Sequence, residues 1–146
     1  MSTRTFELDA RTVEVGNAGK VLFPDIGLTE GDLAGYYARV AATMLPHVQG
    51  RPISMQRFPN GVDEPGFYAK QAPDYFPEWI ERVTIEVLES GEKQPQVVVN
   101  DAATLVYLVD QASITPPTWL SRTSDLNHPD KLIFDLDPPK SFETAR

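Results

Sequence analysis

The sequence predicts an α+β domain, a mixed or antiparallel sheet with flanking helices. Three observations carry that expectation. Short segments alternate apolar and polar residues, as half-buried strands do. Two longer segments repeat their apolar residues at helical spacing, without the regular βαβ order of a doubly wound sheet. Thirteen prolines in 146 residues then keep the elements short and the connections stiff.

Residues 1–10 read as a loose leader, and residues 11–146 as one domain. Arg11-Thr12-Val13-Glu14-Val15 alternates as a short strand, and Gly16-Asn17-Ala18-Gly19-Lys20 is a turn by composition. Thr29 is an N-cap, with Glu30 and Asp32 placing negative charge in the first turn. Leu33, Tyr36, Tyr37, Val40, Ala41 and Met44 follow as one helix, which Pro46 is expected to end. Residues 52–58 and 66–70 read as strands, and Pro73 to Trp79 as an irregular stretch whose aromatics cap the core. Residues 82–88 and 96–99 form a predicted hairpin, and Asn100 or Asp101 caps a second helix through Leu105, Val106, Leu108 and Val109. Ile114 to Trp119 is extended because Pro116 and Pro117 interrupt it. Lys131 to Asp137 is a predicted strand stopped by Pro138 and Pro139, and Ser141 opens a helical turn just before Arg146. That ending reads as a chain cut short.

A net charge of −8 counts against a protein that simply coats nucleic acid, because phosphate neutralisation dominates such binding. A local basic groove remains open. No apolar run approaches the ~20 residues a spanning helix needs, no signal-peptide core is present, and no membrane partner is expected. Without cysteine there is no disulfide framework and no thiolate chemistry, which makes an intracellular site the default.

Asp135 and Asp137 share one face of the predicted strand, since strand side chains alternate with period two. Such a pair suits divalent cations that prefer oxygen ligands, or else it is two solvated acids on a half-buried strand. Asn17 and Lys20, three apart beside a glycine turn, suit a phosphate or form a plain polar turn. Arg57, Phe67, Tyr68 and Lys70 interleave cations with aromatics on adjacent strands, as nucleic-acid surfaces do; the alternative packs Phe67 inward and leaves the charges solvated. His47 and His128 lack metal-ligand spacing and read as surface residues.

Asn17-x-x-Lys20-Val-Leu-Phe-Pro24, Tyr36-Tyr37, Gly50-Arg51-Pro52, Arg57-Phe58-Pro59-Asn60-Gly61, Phe67-Tyr68-x-Lys70, Trp119-Leu-Ser-Arg122 and Pro129-Asp130-x-x-x-Phe134-Asp135-Leu136-Asp137-Pro138 occur in that order. Together they resemble the polymerase domain of bacterial ligase D, in the archaeo-eukaryotic primase superfamily. The likeness spans residues 11–142 and implies the N-terminal portion of a primase-polymerase fold. It also implies nucleotidyl transfer at DNA ends or gaps in non-homologous end joining, with Mn²⁺ or Mg²⁺ as cofactor. DNA and nucleoside triphosphates are the implied partners, together with a ligase domain, Ku or a second chain completing the fold. The implied location is cytoplasmic, at the nucleoid. By the resemblance Asp135 and Asp137 are catalytic metal ligands, Asn17 and Lys20 hold a 5′-phosphate, and Phe67 and Tyr68 stack near the template between the basic positions Arg57 and Lys70.

Three departures bear on activity. Glu30 stands where the family's Gly-x-Thr-Lys run has its lysine, and is expected to weaken phosphate binding. Pro117 stands where the family has a histidine two residues before the tryptophan. The family also continues well past these motifs, to a third metal-binding acid and the triphosphate-binding groups. Little or no turnover is therefore expected of this chain alone. A non-catalytic DNA-end-binding module, or a degenerate fragment, is the alternative to an active polymerase.

Overall fold

The computed structural model describes residues 2–137. The expected stop at Pro138 and Pro139 and the helical start at Ser141 lie outside the described residues. The α+β class holds: small antiparallel sheets surround two packed helices.

The first strand is a correction. Residues 1–10 are not all loose, because β1 (Arg4–Leu8) pairs antiparallel with β2 (Arg11–Val15). Asp9 turns the chain with φ 51°, a left-handed conformation that a short polar side chain tolerates. Phe6 and Val13 face each other in the register and both enter the core. Burial of that pair holds the strand in place.

After β3 (Val21–Phe23) and a 3-10 turn at Pro24–Ile26, the two-residue strand β4 (Leu28–Thr29) delivers the chain to α1 (Glu30–Val48). The expected cap is present as a reciprocal pair. Thr29 Oγ1 accepts from the Asp32 N–H at 3.2 Å, and Asp32 Oδ2 accepts from the Thr29 N–H at 2.9 Å. Pro46 does not end this helix, which runs on through Val48. A proline in the last turn removes one N–H, toward the Ala42 carbonyl on an exposed stretch, where water replaces the lost bond.

Strands β5 (Met55–Arg57), β6 (Phe67–Ala69) and β9 (Ser113–Thr115) form one sheet in the order β6-β5-β9. The hairpin appears as β7 (Arg82–Glu86) and β8 (Lys93–Val97), its second strand starting earlier than expected. Pro95 fits there because a two-stranded ribbon leaves it on an edge. Asp101, rather than Asn100, caps α2 (Ala102–Asp110), with Oδ1 accepting from the Thr104 N–H at 2.7 Å.

The core lies where α1 crosses α2. Ala34, Tyr37 and Ala41 of α1 meet Leu105, Val106 and Val109 of α2, with Val15, Met55, Phe76 and Val97 closing the sides. The buried Tyr37 hydroxyl donates to the Ile114 carbonyl at 2.7 Å, which ties α1 to the central sheet.

Residues 131–137 form no strand, and this too is a correction. They carry no ladder bonds, and Leu132, Ile133, Phe134 and Leu136 are exposed. An alternating pattern specifies which face a strand would bury, but a strand exists only with a partner beside it. No described segment offers one.

Candidate nucleic-acid interface

The β5–β6 pair sets Arg57 directly opposite Phe67, and Gln56 opposite Tyr68. Met55 and Ala69, two residues back on the same face as Arg57 and Phe67, are covered by the core. The face runs out of protein at Arg57 and Phe67, so Phe67 is 50% exposed and does not pack inward. The guanidinium of Arg57 lies 5.6 Å from the centroid of the Phe67 ring. It is held there by its Nε, which donates to the Gln111 carbonyl at 2.7 Å. Tyr68, 63% exposed, points to the other side of the strand, and Lys70 follows it, also exposed.

Two features complete this surface beyond what the sequence indicated. Tyr75 lay in the stretch expected to cap the core, yet its ring is 63% exposed. Its hydroxyl lies 3.4 Å from Arg57 Nη1 and donates to Gln111 Oε1 at 3.1 Å. Phe76 takes the core role instead, edge-on to Tyr107. The only signal was an aromatic next to an aromatic, which does not say which one turns in. Gly66 is the second feature. A Cβ on it would sit 2.5 Å from the Phe58 ring and 2.8 Å from the Arg57 carbonyl, so only glycine lets β6 approach β5 here.

The turn at residues 16–20 packs against the start of α1. Asn17, Gly19 and Lys20, with Ser2, line an open cavity of about 320 Å³. Lys20 is not idle, because its ammonium donates to the Pro59 carbonyl. Behind it Glu30 is turned inward, 2% exposed, with its backbone N–H bonded to the Lys20 carbonyl at 2.8 Å. Glu30 Oε1 has no hydrogen-bond partner among the described residues. Burial, reinforced by the Asp110 carboxylate and opposed by Lys20, pushes the Glu30 carboxyl up to about 7. Asp110 is itself fixed by the Gly16 N–H, which donates to Oδ1 at 2.7 Å.

Asp135 and Asp137 sit in the exposed segment. Two carboxylates separated by one residue are donors of the right type for Mg²⁺ or Mn²⁺. Among the described residues no third His, Cys, Asp or Glu joins them.

What the fold does provide is an anchor for that segment. Buried Arg51 reaches Asp130 Oδ1 at 2.7 Å and donates to the Leu120 carbonyl at 2.7 Å. Arg122 binds the same carboxylate through Nε at 3.0 Å and the Gln49 carbonyl through Nη1 at 2.9 Å. The Arg51 hydrogen bond is the main cause that holds the Asp130 carboxyl below its ordinary value. Lys131 Nζ then donates to the His47 carbonyl at 2.9 Å. Arg51, Arg122 and Asp130 stood in the sequence as motif residues without a role; spatially they are one clamp across the end of α1. Pro117 is exposed, its carbonyl accepting from the Ser54 N–H at 2.9 Å. His47 and His128 are at the surface, as expected, with His128 Nδ1 2.8 Å from Asp125.

Residues 29–146 match the family model for LigD, primase-polymerase domain. Over 142 residues the chain is 37% identical to the multifunctional non-homologous end joining DNA repair protein LigD of Mycobacterium tuberculosis, covering 92% of this chain and 18% of that protein. It is 35% identical over 128 residues to the multifunctional non-homologous end joining protein LigD of Mycolicibacterium smegmatis, covering 86% of this chain and 16% of that protein. The fold is similar to a solved structure of the polymerase domain from Mycobacterium tuberculosis ligase D in complex with DNA. The TM-score is 0.71 at 36% sequence identity, over 75% of this chain and 38% of that one. The chain thus spans less than a fifth of the length of these curated relatives.

Proposed function

From the premise that this chain belongs to the LigD primase-polymerase family, we propose that it is the DNA-end-engaging part of a polymerase acting in end joining. Residues 11–146, with β1 paired against them, form that unit. The observation that carries the reading is the β5–β6 surface. There the exposed rings of Phe67 and Tyr75 lie beside a guanidinium whose own contacts are neutral, and Tyr68 stands exposed on the other side of the same strand. Phe67 and Tyr68 offer flat faces on which unpaired template bases stack, and Arg57 and Lys70 supply charge for the backbone. The solved relative is described as in complex with DNA, and that supports extending the same partner to this chain.

Asn17 and Lys20 receive the 5′-phosphate at a break or gap, the amide as donor and the ammonium as a point charge. One N–H of Lys20 is taken by the Pro59 carbonyl, which leaves two for the phosphate, and Glu30 behind it opposes the incoming negative charge. Asp135 and Asp137 are proposed as two of the ligands of a divalent metal site, Mn²⁺ or Mg²⁺. When bound, such ions offset charge on a transferring phosphoryl group. The Arg51–Asp130–Arg122 clamp holds the root of their segment against α1. Nucleoside triphosphates, a ligase domain, Ku or a second chain completing the fold are proposed as partners on the resemblance of the motifs, at the bacterial nucleoid.

The test is a gel shift on gapped duplex DNA with and without a 5′-phosphate on the downstream strand. Tighter binding of the phosphorylated gap is expected; equal binding of both removes Asn17 and Lys20 from the reading. Primer extension with Mn²⁺ and ribonucleotides separates end binding from turnover. Appreciable extension would show that the 146-residue chain completes a site by itself.

A further inference from the structure

A further pair of cations, Arg4 of β1 and Arg39 of α1, has been given no role above. Asp32, Tyr36 and Arg39 lie along one face of that helix, and Arg4 reaches over from β1. With Phe23 and Leu28 they border a cavity of about 430 Å³. At its edge the two guanidinium groups converge above Gly35. A Cβ on Gly35 would lie 3.4 Å from Arg39 Nη1, 3.5 Å from Arg4 Nη1 and 3.6 Å from Arg4 Nη2. Two like charges this close repel unless an anion joins them. Among the described residues neither arginine has a carboxylate within ion-pair distance. The acid nearest by its electrostatic effect is Asp32, and its Oδ2 is already held by the Thr29 N–H at 2.9 Å and the Thr29 hydroxyl at 2.8 Å. Asp32 thus offsets part of the charge of both arginines without pairing with either, and in a chain of net charge −8 the remaining positive charge marks a place where an anion is accepted.

The cavity's other wall selects the kind of anion. Tyr36 is 50% exposed and Leu28 is 43% exposed, a flat apolar surface beside the two charges. That combination fits a phosphate carrying a base or sugar more closely than a bare ion. Continuity with the turn selects its source. Arg4 Nη1 donates to the Gly31 carbonyl at 3.0 Å, and the Gly31 N–H donates to the Ala18 carbonyl at 2.9 Å. One residue of α1 therefore separates the Arg4 guanidinium from the turn that bears Asn17 and Lys20. We propose that Arg4 and Arg39 form a second phosphate subsite, which takes an internal phosphodiester of the DNA strand whose 5′ end lies at that turn. This rests on the end-binding reading and adds to it a direction for the strand, along the outer face of α1. It also supplies cationic contact near a turn where Glu30 has replaced a lysine.

The test uses the full chain and a gapped duplex carrying a 5′-phosphate. In separate substrates the first, second, third or fourth linkage of the downstream strand is a neutral methylphosphonate. Arg39 is exposed, so Arg39→Gln leaves the fold intact, and Arg39→Lys restores the charge without the fork. Arg39→Gln is expected to weaken binding about fivefold and to lower the salt dependence by about one phosphate contact. One methylphosphonate position should weaken the wild type similarly and leave Arg39→Gln unaffected, with Arg39→Lys in between. Additive losses at all four positions overturn the subsite. So does unchanged DNA binding by Arg39→Gln, which would leave the cavity to an acidic peptide. A strand ending in a 5′-hydroxyl separates the two readings. If it binds as well as the phosphorylated strand while the linkage coupling persists, Asn17 and Lys20 fail and the arginine pair stands. A wild type that binds no gapped DNA overturns both.

Discussion

The turn at residues 16–20 and the β5–β6 surface both present a cation beside groups suited to DNA, yet their electrostatic settings are opposite. Arg57 is held by the Gln111 carbonyl and the Tyr75 hydroxyl and lies near the Phe67 ring. All these partners are neutral, so its charge remains available to an anion. Lys20 shares its surroundings with Glu30 and, beyond it, Asp110. A cation among carboxylates attracts a phosphate less than the same cation among neutral dipoles. Two motifs of equal appearance in sequence therefore differ in how ready they are to bind.

The largest effect that separates them is expected at the aromatics. Replacing Phe67 and Tyr68 together by alanine removes two stacking faces, each worth about 1–3 kcal/mol per base. Binding to gapped DNA should fall by roughly 30-fold or more, with circular dichroism and melting temperature near wild type because both rings are substantially exposed. Asn17→Ala with Lys20→Ala should cost less and should act only on phosphorylated ends. If the turn double variant loses more than the aromatic one, the ranking of the two regions is reversed.

Glu30 is the next lever, and it acts on both stability and binding. Its carboxyl goes from an ordinary 4.5 to about 7 on folding. Between those values the folded chain holds a proton that the unfolded chain has released. Stability therefore falls as pH rises through this window, and the penalty is complete above about pH 7. Glu30→Gln removes that slope and should stabilise the chain at pH 8 by on the order of 2 kcal/mol, read as a chemical-denaturation midpoint compared at pH 5 and pH 8. The same variant should sharpen discrimination for a 5′-phosphate by about fivefold at pH 8, the effect of removing one nearby charge. No change in the pH slope would mean that Glu30 is hydrated and ionised at neutral pH.

Glu30 also shows where local patterns carry information and where they do not. Its position beside Thr29 marks it as a helix first-turn acid, which it is, and the capping pair formed as expected because Thr29 and Asp32 are three residues apart. That the side chain turns inward toward Lys20 and Asp110 depends on α2, whose end lies some 80 residues further along the chain, so the first turn could not reveal it. The same limit applies to Lys131–Asp137. Its alternation was legible, while the neighbouring strand that would make it a ladder is not set by its own residues. Phe6 shows the converse. Residues 4–8 repeat the polar and apolar order of residues 11–15 but sit where a loose leader was expected, and pairing with β2 with burial of one ring orders them as a strand. Capping and turn chemistry are local and were legible, whereas pairing and the direction of a buried charge require the partner.

The smallest of these effects tests how the better-poised surface is built. Gly66 has no unusual φ, so its requirement is one of space: the Phe58 ring occupies the place where a Cβ would go. Gly66→Ala must push that ring or part β6 from β5. Overpacking of this kind costs about 1–3 kcal/mol, and at a sheet edge the lower end of that range is expected. The consequence for binding differs from that of removing a ring, because Phe67 and Tyr68 remain but shift against Arg57. DNA affinity should fall by only about threefold, and a Gly66→Ala, Phe58→Leu double variant should recover part of the loss, because the Arg57 carbonyl still lies 2.8 Å from the new Cβ. If Gly66→Ala binds DNA as the wild type does, the placement of Phe67 over Arg57 does not depend on the close approach at Gly66. The advantage of this surface over the turn would then lie in its neutral surroundings alone.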